Sequence, residues 1–249
     1  MGDVSSLLRR IDNVAGRAAA AVGMPIEVVG VRHESAPSRG LEFPAAVLDR
    51  HAGCGPDHIN YTSLRDTLQH LGGRPATILE TGSSAWGANS TCLWDAYVRE
   101  FGGRVWSVDI RRTPSRELRD KVSSATTLVT DDSVRFLNRW REQHPADRVD
   151  LVYLDSWDLD ALSPVAAALH CVREYEAVQH LLRTGSLLLV DDTPGSEEWL
   201  TSDLKAGAEA YRERVGLWPG KGMLLDLMLA EHPRVTKLHH RYQTLYRFE

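Results

Sequence analysis

The stretch ILETGSSAWGANSTCLWDAY, residues 78–97, runs from a short apolar segment into a loop of small residues and then into a helical pattern. Glu80 ends the apolar segment, and Gly82 and Ser83 follow it closely. Small residues after a buried strand let a ligand approach the backbone, and the next helix presents unpaired N–H groups to it. Since the loop does not fit GxGxxG, it suits a ligand site and a simple chain reversal equally well.

The region from Ala76 onward alternates short apolar segments with helical ones. The predicted strands are 77–80, 104–110, 125–130, 149–155 and 186–191, and the predicted helices are 90–101, 115–122, 133–144 and 164–182. Further helices are predicted near 197–214 and 223–230, and further strands at 235–240 and 243–248. Apolar strands separated by helices predict an α/β fold in which a parallel sheet is covered on both faces.

The region before residue 76 has a different pattern. Apolar residues spaced by three and four predict a helix over 4–22, which either docks on the body of the protein or pairs between subunits. A weak strand candidate at 26–31 and helices at 43–52 and 62–71 follow. We therefore divide the chain into a helical extension or lid, 1–75, and a main domain, 76–249.

Composition excludes several classes of protein. The chain has 249 residues, of which 43% are hydrophobic and 25% charged, as is usual for a soluble globular protein. No apolar run reaches the roughly 18 residues of a membrane span, and a net charge of -5 disfavours a nucleic-acid partner. Cys54, Cys92 and Cys171 are scattered without CxxC spacing, which favours a reducing, cytoplasmic location over a zinc site or a disulfide framework.

Each of the five main predicted strands has an acidic residue at its end or directly next to it. In an open parallel sheet, ligands bind outside the carboxyl ends of the strands. Asp109 ends the second of these strands, where an acid typically binds the ribose hydroxyls of an adenosine ligand. Asp132 and Ser133 follow the third strand and suit the adenine edge, although the same pair also suits a helix cap.

The series ILETGSSAWG, WSVDI, DDSVRFL, VDLVYLDSW and LLRTGSLLLVDD resembles the class I S-adenosylmethionine-dependent methyltransferases. Within them it is most similar to the cation-dependent small-molecule O-methyltransferases of the catechol O-methyltransferase type and their relatives in natural-product pathways. The resemblance implies a Rossmann-like, seven-stranded, mostly parallel sheet with helices on both faces and an antiparallel C-terminal strand pair. It also implies methyl transfer to a hydroxyl of a small metabolite.

The resemblance assigns residues to the cofactor and to a metal ion. Glu80, Gly82 and Ser83 would receive the methionine part of S-adenosylmethionine. Asp155, which also borders the cofactor, would hold a divalent cation together with Asp191 and Asp192. Three converging carboxylates repel one another unless a cation or protons compensate them. Oxygen ligands select Mg²⁺, with Ca²⁺ or Mn²⁺ as alternatives, while the alternative for Asp192 is a cap on the following segment.

The general base departs from the pattern of the family. Catechol-type enzymes have a lysine after the metal-binding aspartate and the tryptophan, whereas Asp158 occupies that place here. An unperturbed aspartate is a weak base at neutral pH. His170 is the better candidate, since Glu174 lies one turn further along the same predicted helix and could orient the imidazole. The alternative role of His170 is to stabilise that helix through Glu174.

Two other classes of function compete with methyl transfer. An NAD(P)-dependent oxidoreductase would need a GxGxxG loop and a Tyr-x-x-x-Lys pair, and the sequence has neither. A non-catalytic nucleotide-binding or assembly protein, paired through the helix over 4–22, is consistent with the missing lysine. Acceptor specificity would lie in the segments before residue 77 and after residue 192, and these segments carry no chemically readable motif, so the methyl acceptor stays open.

Overall fold

The computed structural model describes residues 47–83, 89–145, 148–200 and 202–249, together with the backbone of residues 27–29. The predicted helix over 4–22 and most of the small-residue loop therefore lie outside the described residues. The proposed boundary at residue 75 stays a prediction. Leu48 and Leu64, which precede that boundary, are fully buried in the same apolar cluster as Ile78.

Eight strands form one sheet in the described part of the chain. They are β1 (Glu27–Val29), β2 (Ala76–Thr81), β3 (Gly103–Asp109), β4 (Thr126–Thr130), β5 (Val149–Leu154), β6 (Leu182–Val190), β7 (Val235–His240) and β8 (Thr244–Phe248). Their order across the sheet is β1-β4-β3-β2-β5-β6-β8-β7. The five strands from β2 to β6 run parallel, and β8 and β7 pair antiparallel at one edge. The predicted seven-stranded sheet is thus confirmed, and the weak strand candidate adds β1 antiparallel to β4.

Seven α-helices connect and flank these strands. They are α1 (Tyr61–Leu71), α2 (Ser90–Phe101), α3 (Arg112–Leu118), α4 (Ser133–Gln143), α5 (Val165–Val178), α6 (Ser202–Val215) and α7 (Met223–Leu229). The described residues also form a π-helix at Leu48–Ala52 and 3-10 turns at Gln179–Leu181 and Glu197–Trp199. Buried side chains of the two sheet faces pack into two large apolar clusters, as the apolar character of the strands predicts.

Among the predicted elements whose bounds differ from the structure are the helix over 164–182 and the strand that follows it. The helix predicted over 164–182 ends at Val178, and β6 begins at Leu182, four residues earlier than predicted. Gly185 has a φ of 86°, and the pairing of β6 with β5 shifts register over this stretch. The irregular start of the strand interrupts its apolar pattern, which explains why periodicity alone placed the start of the strand at residue 186.

Candidate functional site

The order of the strands reverses between β2 and β5. The chain passes from β2 outward through β3 to β4, and then returns to place β5 on the other side of β2. Such a reversal opens a crevice at the carboxyl ends of the two central strands, which is where open α/β sheets bind ligands. Gly82 follows β2 and Asp155 follows β5, so both residues border this crevice.

Gly82 is required at this position by two separate features. Its φ is 81°, which is a left-handed conformation that side chains rarely adopt. A Cβ atom on Gly82 would also lie 2.2 Å from the carbonyl oxygen of Asp155. The Gly82 N–H donates to the carbonyl oxygen of Val108 at 2.8 Å. The first residue of the small-residue loop is therefore packed directly against the end of β5.

Glu80 is fully buried beside this loop and makes a hydroxyl network. Its Oε2 accepts hydrogen bonds from Thr91 at 2.6 Å and from Ser107 at 2.5 Å, and Ser83 lies 2.7 Å from the Ser107 hydroxyl. Burial raises the pKa of Glu80, while the hydrogen bond from Ser107 lowers it. Its Oε1 has no hydrogen-bond partner among the described residues. Glu80 and Ser83, both predicted cofactor residues, are thus joined through Ser107.

Asp109 ends β3 and is buried, but its carboxylate is already engaged by a neighbour. Its Oδ1 accepts hydrogen bonds from Arg111 N at 2.7 Å and Nε at 3.0 Å, and Oδ2 accepts one from Nη2 at 2.9 Å. The Arg111 side chain is 48% exposed, whereas that of Asp109 is 4% exposed. The hydrogen bond to Asp109 raises the pKa of Arg111 against the effect of burial. A ligand hydroxyl at Asp109 would therefore compete with an exposed arginine.

The acidic pair after β4 divides its roles. Asp131 is buried and forms ion pairs with Arg135 and Arg139. Asp132 is the N-cap of α4, since its Oδ1 accepts a hydrogen bond from the Arg135 N–H at 2.8 Å. Asp132 therefore has the helix-capping role that the sequence allowed beside adenine binding. Binding to adenine through Asp132 and Ser133 stays a prediction.

His170 lies in a hydrogen-bonded cluster that joins the ends of β4 and β5. Its Nε2 is 2.9 Å from the Ser133 hydroxyl and 3.4 Å from Glu174 Oε1, and the Ser156 hydroxyl donates to the same Glu174 oxygen at 2.6 Å. Burial lowers the pKa of His170, but the hydrogen bond and charge of Glu174 outweigh it, and the net shift is upward. His170, which was predicted as a base, thus contacts Ser133, which was predicted to bind adenine.

Asp158 and the residues around it form the outer edge of the crevice. Asp158 is exposed, and the negative charges of Asp158 and Asp155 both raise the pKa of Arg111. Trp157, which precedes Asp158, is 52% exposed with a φ of 68°, and its ring centroid lies 5.2 Å from that of His170. Ile110, next to Asp109, is also exposed. The edge therefore offers apolar surface beside charged groups.

Three aspartates converge at the ends of β5 and β6, as the sequence predicts, and a lysine lies between two of them. Lys221 Nζ is 2.8 Å from Asp155 Oδ1 and 2.9 Å from Asp192 Oδ2. The lysine side chain is only 4% exposed. Burial lowers its pKa, but Asp155 and Asp192 outweigh burial and raise the pKa of Lys221 well above its ordinary value. The contacts of Lys221 with two carboxylates therefore favour the charged ammonium form inside the cluster.

Neutral donors bind the remaining oxygens of the three aspartates. Asp191 Oδ2 accepts a hydrogen bond from the Tyr153 hydroxyl at 2.9 Å, and Oδ1 accepts one from Gln243 Nε2 at 2.9 Å. The Tyr153 hydroxyl also lies 3.3 Å from Asp155 Oδ2, and the Tyr242 hydroxyl donates to Asp192 Oδ1. Burial and the charge of Asp191 raise the pKa of Asp155 well above its usual range, although Lys221 lowers it. All six carboxylate oxygens therefore face a protein donor.

Lys221 is held in place by its own backbone and by two flanking glycines. The Lys221 N–H donates to the carbonyl oxygen of Asp192 at 2.8 Å, and the Gly222 N–H donates to the Thr193 hydroxyl at 2.9 Å. A Cβ atom would lie 2.8 Å from the Asp192 carbonyl oxygen at Gly220, and 2.6 Å from the Thr193 hydroxyl at Gly222. The sequence analysis did not predict this role of Lys221, although a lysine between two glycines, GKG at 220–222, was the feature that could have indicated it.

The residues around the three aspartates do not fit a divalent cation as they are arranged. A cation bound by Asp155 and Asp192 would have to displace the Lys221 ammonium from both of them. Asp191 already accepts hydrogen bonds from Tyr153 and Gln243. Among the described ranges, no group of three or more His, Cys, Asp or Glu residues is placed to hold a metal ion. The metal role of the aspartates stays a prediction that this arrangement does not support.

Two further sequence predictions concern location in the cell. The described residues contain no helix that is long and apolar enough to cross a membrane. Cys54, Cys92 and Cys171 are all free thiols, and Cys54 and Cys171 are buried. A cytoplasmic location stays a prediction.

The fold is similar to that of solved methyltransferases. MycE, a methyltransferase from the mycinamycin biosynthetic pathway solved with Mg, SAH and mycinamycin VI, is 16% identical, with 84% of this chain and 54% of that chain covered and a TM-score of 0.53. A second MycE structure, with Mg and SAH, is 15% identical, with 84% and 55% covered and a TM-score of 0.52. CalS11, a TDP-rhamnose 3'-O-methyltransferase of calicheamicin biosynthesis, is 17% identical, with 76% and 78% covered and a TM-score of 0.48.

Sequence comparisons give no further assignment. A comparison with protein-family models found no match, and neither did a comparison with curated proteins. The chain spans about half the length of MycE. The likeness to MycE confirms the Rossmann-like methyltransferase fold that the sequence predicts, and this protein has that fold.

Proposed function

We propose that this protein transfers a methyl group from S-adenosylmethionine to a hydroxyl of a small metabolite. The observation that carries the proposal is Gly82, which lies at the strand reversal in a left-handed conformation and packs against Asp155. Because Gly82 has no side chain, this part of the crevice leaves room for an extended ligand. Asp109, one strand away, then supplies the buried carboxylate that a ribose requires. MycE, which has the same fold, is solved with SAH.

The reaction would join the acceptor oxygen to the sulfonium methyl carbon. The new O–C bond forms while the S–C bond breaks, the sulfur keeps the bonding electron pair, and the hydroxyl proton passes to a base. Asp158 and His170 remain the two candidates for that base. The position of His170 between Ser133 and Glu174 favours Asp158, because the imidazole Nε2 is already hydrogen-bonded at the adenine side. The main catalytic effect would be orientation of the two reactants.

A more specific version of this proposal adds a divalent cation that assists the transfer. A divalent ion, when bound, would lower the pKa of the acceptor hydroxyl and orient it, and MycE is solved with Mg. The sequence supports this form through Asp155, Asp191 and Asp192, whereas the position of Lys221 between Asp155 and Asp192 opposes it.

Calorimetric titration with S-adenosylmethionine, SAH and NADH tests the proposed cofactor. We expect the first two to bind, and Asp109→Asn to weaken them about 10- to 100-fold, because a hydrogen bond to a charged group contributes about 1.5–3 kcal/mol. Asp120→Asn, which changes an exposed acid, is the matched control and should leave affinity unchanged. Binding of NADH alone, or unchanged affinity in Asp109→Asn, would contradict the proposal.

Methyl transfer itself is tested with S-adenosylmethionine that carries a deuterated methyl group. Incubation with pools of small hydroxylated metabolites should release SAH and give products heavier by one labelled methyl group. Fragmentation by mass spectrometry then locates the label on oxygen. Tight cofactor binding without any labelled product across acceptor classes would favour the non-catalytic alternative.

A further inference from the structure

The cluster of Asp155, Asp191, Asp192 and Lys221 has a built-in cation. The ammonium of Lys221 contacts one oxygen of Asp155 and one of Asp192, and its Nζ lies 3.4 Å from the Asp155 carbonyl oxygen. These are oxygen ligands around a positive charge that is almost completely removed from water. A small divalent cation seeks the same surroundings.

The lysine is brought to this position by two close backbone approaches. Gly220 and Gly222 bring the backbone against the turn after β6 more closely than a side chain would allow. Asp192 adopts a left-handed φ of 43°, which is uncommon for a residue with a side chain. Its carboxylate is thereby held by Lys221 and Tyr242 together. Both partners of the ion pair are fixed by backbone geometry.

We propose that Lys221 is the resident cation of this cluster, so that its ammonium holds Asp155 and Asp192 where a divalent metal ion would otherwise be needed. Lys221 is then a positioning residue, and it makes the site independent of added metal. The inference goes beyond the proposed function, since the identity of the cation does not depend on which group is transferred. If methyl transfer does occur, we infer that it continues in excess chelator.

The test is a gain of metal binding on removal of the lysine. Lys221→Met keeps the apolar stem of the side chain as far as the Cε position but removes the charged amine, and leaves three converging carboxylates. We expect this variant to bind Tb³⁺ on the order of 100-fold more tightly than the wild type, because a facing positive charge has been removed. Sensitised Tb³⁺ luminescence reports binding, since the Tyr153 and Tyr242 hydroxyls contact the carboxylates. Ca²⁺ and Mg²⁺ should compete with Tb³⁺ for the site.

Two matched variants separate this site from other carboxylates. Lys205→Met removes an exposed lysine that is paired with Glu197, and it should not increase Tb³⁺ binding. Asp192→Asn added to Lys221→Met should abolish the gained binding. A purely structural lysine would change stability on removal without creating a cation site that depends on Asp192.

Three results would overturn the proposal. Binding of Tb³⁺ or Mg²⁺ at this cluster by the wild type as tightly as by Lys221→Met would mean that metal and lysine coexist. A folded Lys221→Met that gains no binding would mean that the carboxylates cannot replace the ammonium by a metal ion. If Lys221→Met does not fold even with Ca²⁺ present, titration of the wild type alone decides, and binding of the metal there refutes the proposal. Cofactor affinity, measured separately, tests the proposed function.

Discussion

The two halves of the sheet's carboxyl edge neutralise their acidic residues in different ways. On the side of β3, Asp109 is paired with Arg111, whose side chain is 48% exposed. On the side of β5 and β6, Asp155 and Asp192 are paired with Lys221, whose side chain is 4% exposed. An exposed partner can move into water when a ligand arrives, whereas a buried partner that leaves would strand buried carboxylates without a counter-charge.

This difference indicates what each half can do. Asp109 can exchange Arg111 for a ligand hydroxyl at little cost, because the released guanidinium is hydrated immediately. Asp155 and Asp192 hold a permanent partner and therefore present a fixed arrangement to whatever binds beside them. The β3 half is suited to reversible ligand exchange, and the β5 and β6 half to positioning.

The largest expected effect is on stability, when each half loses its cation. Lys221→Met should lower the free energy of unfolding by about 3–5 kcal/mol, because it leaves buried carboxylates uncompensated. Arg111→Met, the matched variant at the pair whose cation is half exposed, should lower it by less, about 1–2 kcal/mol, because Asp109 keeps the hydrogen bond from the Arg111 backbone N–H. Urea unfolding monitored by tryptophan fluorescence measures both. Equal losses in the two variants would remove the contrast between the halves.

A smaller effect is expected where the two halves touch. Gly82→Ala should lower the free energy of unfolding by about 3 kcal/mol, because the added Cβ meets the Asp155 carbonyl oxygen and the backbone is left-handed. Gly53→Ala has a similar φ of 61° but open space around the added atom, so about 1–2 kcal/mol is expected there. Thermal unfolding compares the two. A Gly82→Ala variant no less stable than Gly53→Ala would contradict the close approach of β2 and β5.

The smallest expected effect is on titration of His170, whose cluster connects the ends of β4 and β5. Its raised pKa means that the folded state holds the proton more tightly than the unfolded state. The stability contributed by this group is therefore complete below about pH 6.5 and is lost as pH rises through the folded-state pKa. Glu174→Gln removes the main cause of the upward shift, so the pKa of His170 should fall.

Nuclear magnetic resonance titration of the His170 ring measures that change. Glu176→Gln, an exposed change on the same helix, serves as the control and should leave the pKa of His170 where it is. The difference in free energy of unfolding between wild type and His170→Gln should also shrink as pH rises above 6.5. An unchanged pKa in Glu174→Gln would show that Glu174 does not set the protonation of His170.

The sequence by itself determined the elements and the places of the acids. The alternation of apolar and helical segments predicted β2 to β5 within a few residues, because side-chain periodicity is a local property. Acidic residues at the strand ends were readable for the same reason, once a parallel sheet was predicted. At the irregular start of β6, the local pattern gave the wrong strand boundary.

Only the tertiary structure decided which groups meet. Lys221 follows Asp192 by nearly thirty residues and Asp155 by more than sixty, so no local period connects them. Their contact depends on the order of the strands and on the backbone approach at Gly220 and Gly222. The sequence predicted three carboxylates that require a positive charge. The packing of distant segments supplied that charge as the ammonium of Lys221. A buried lysine keeps its charge only where carboxylates lie close to it, because burial alone disfavours the charged form.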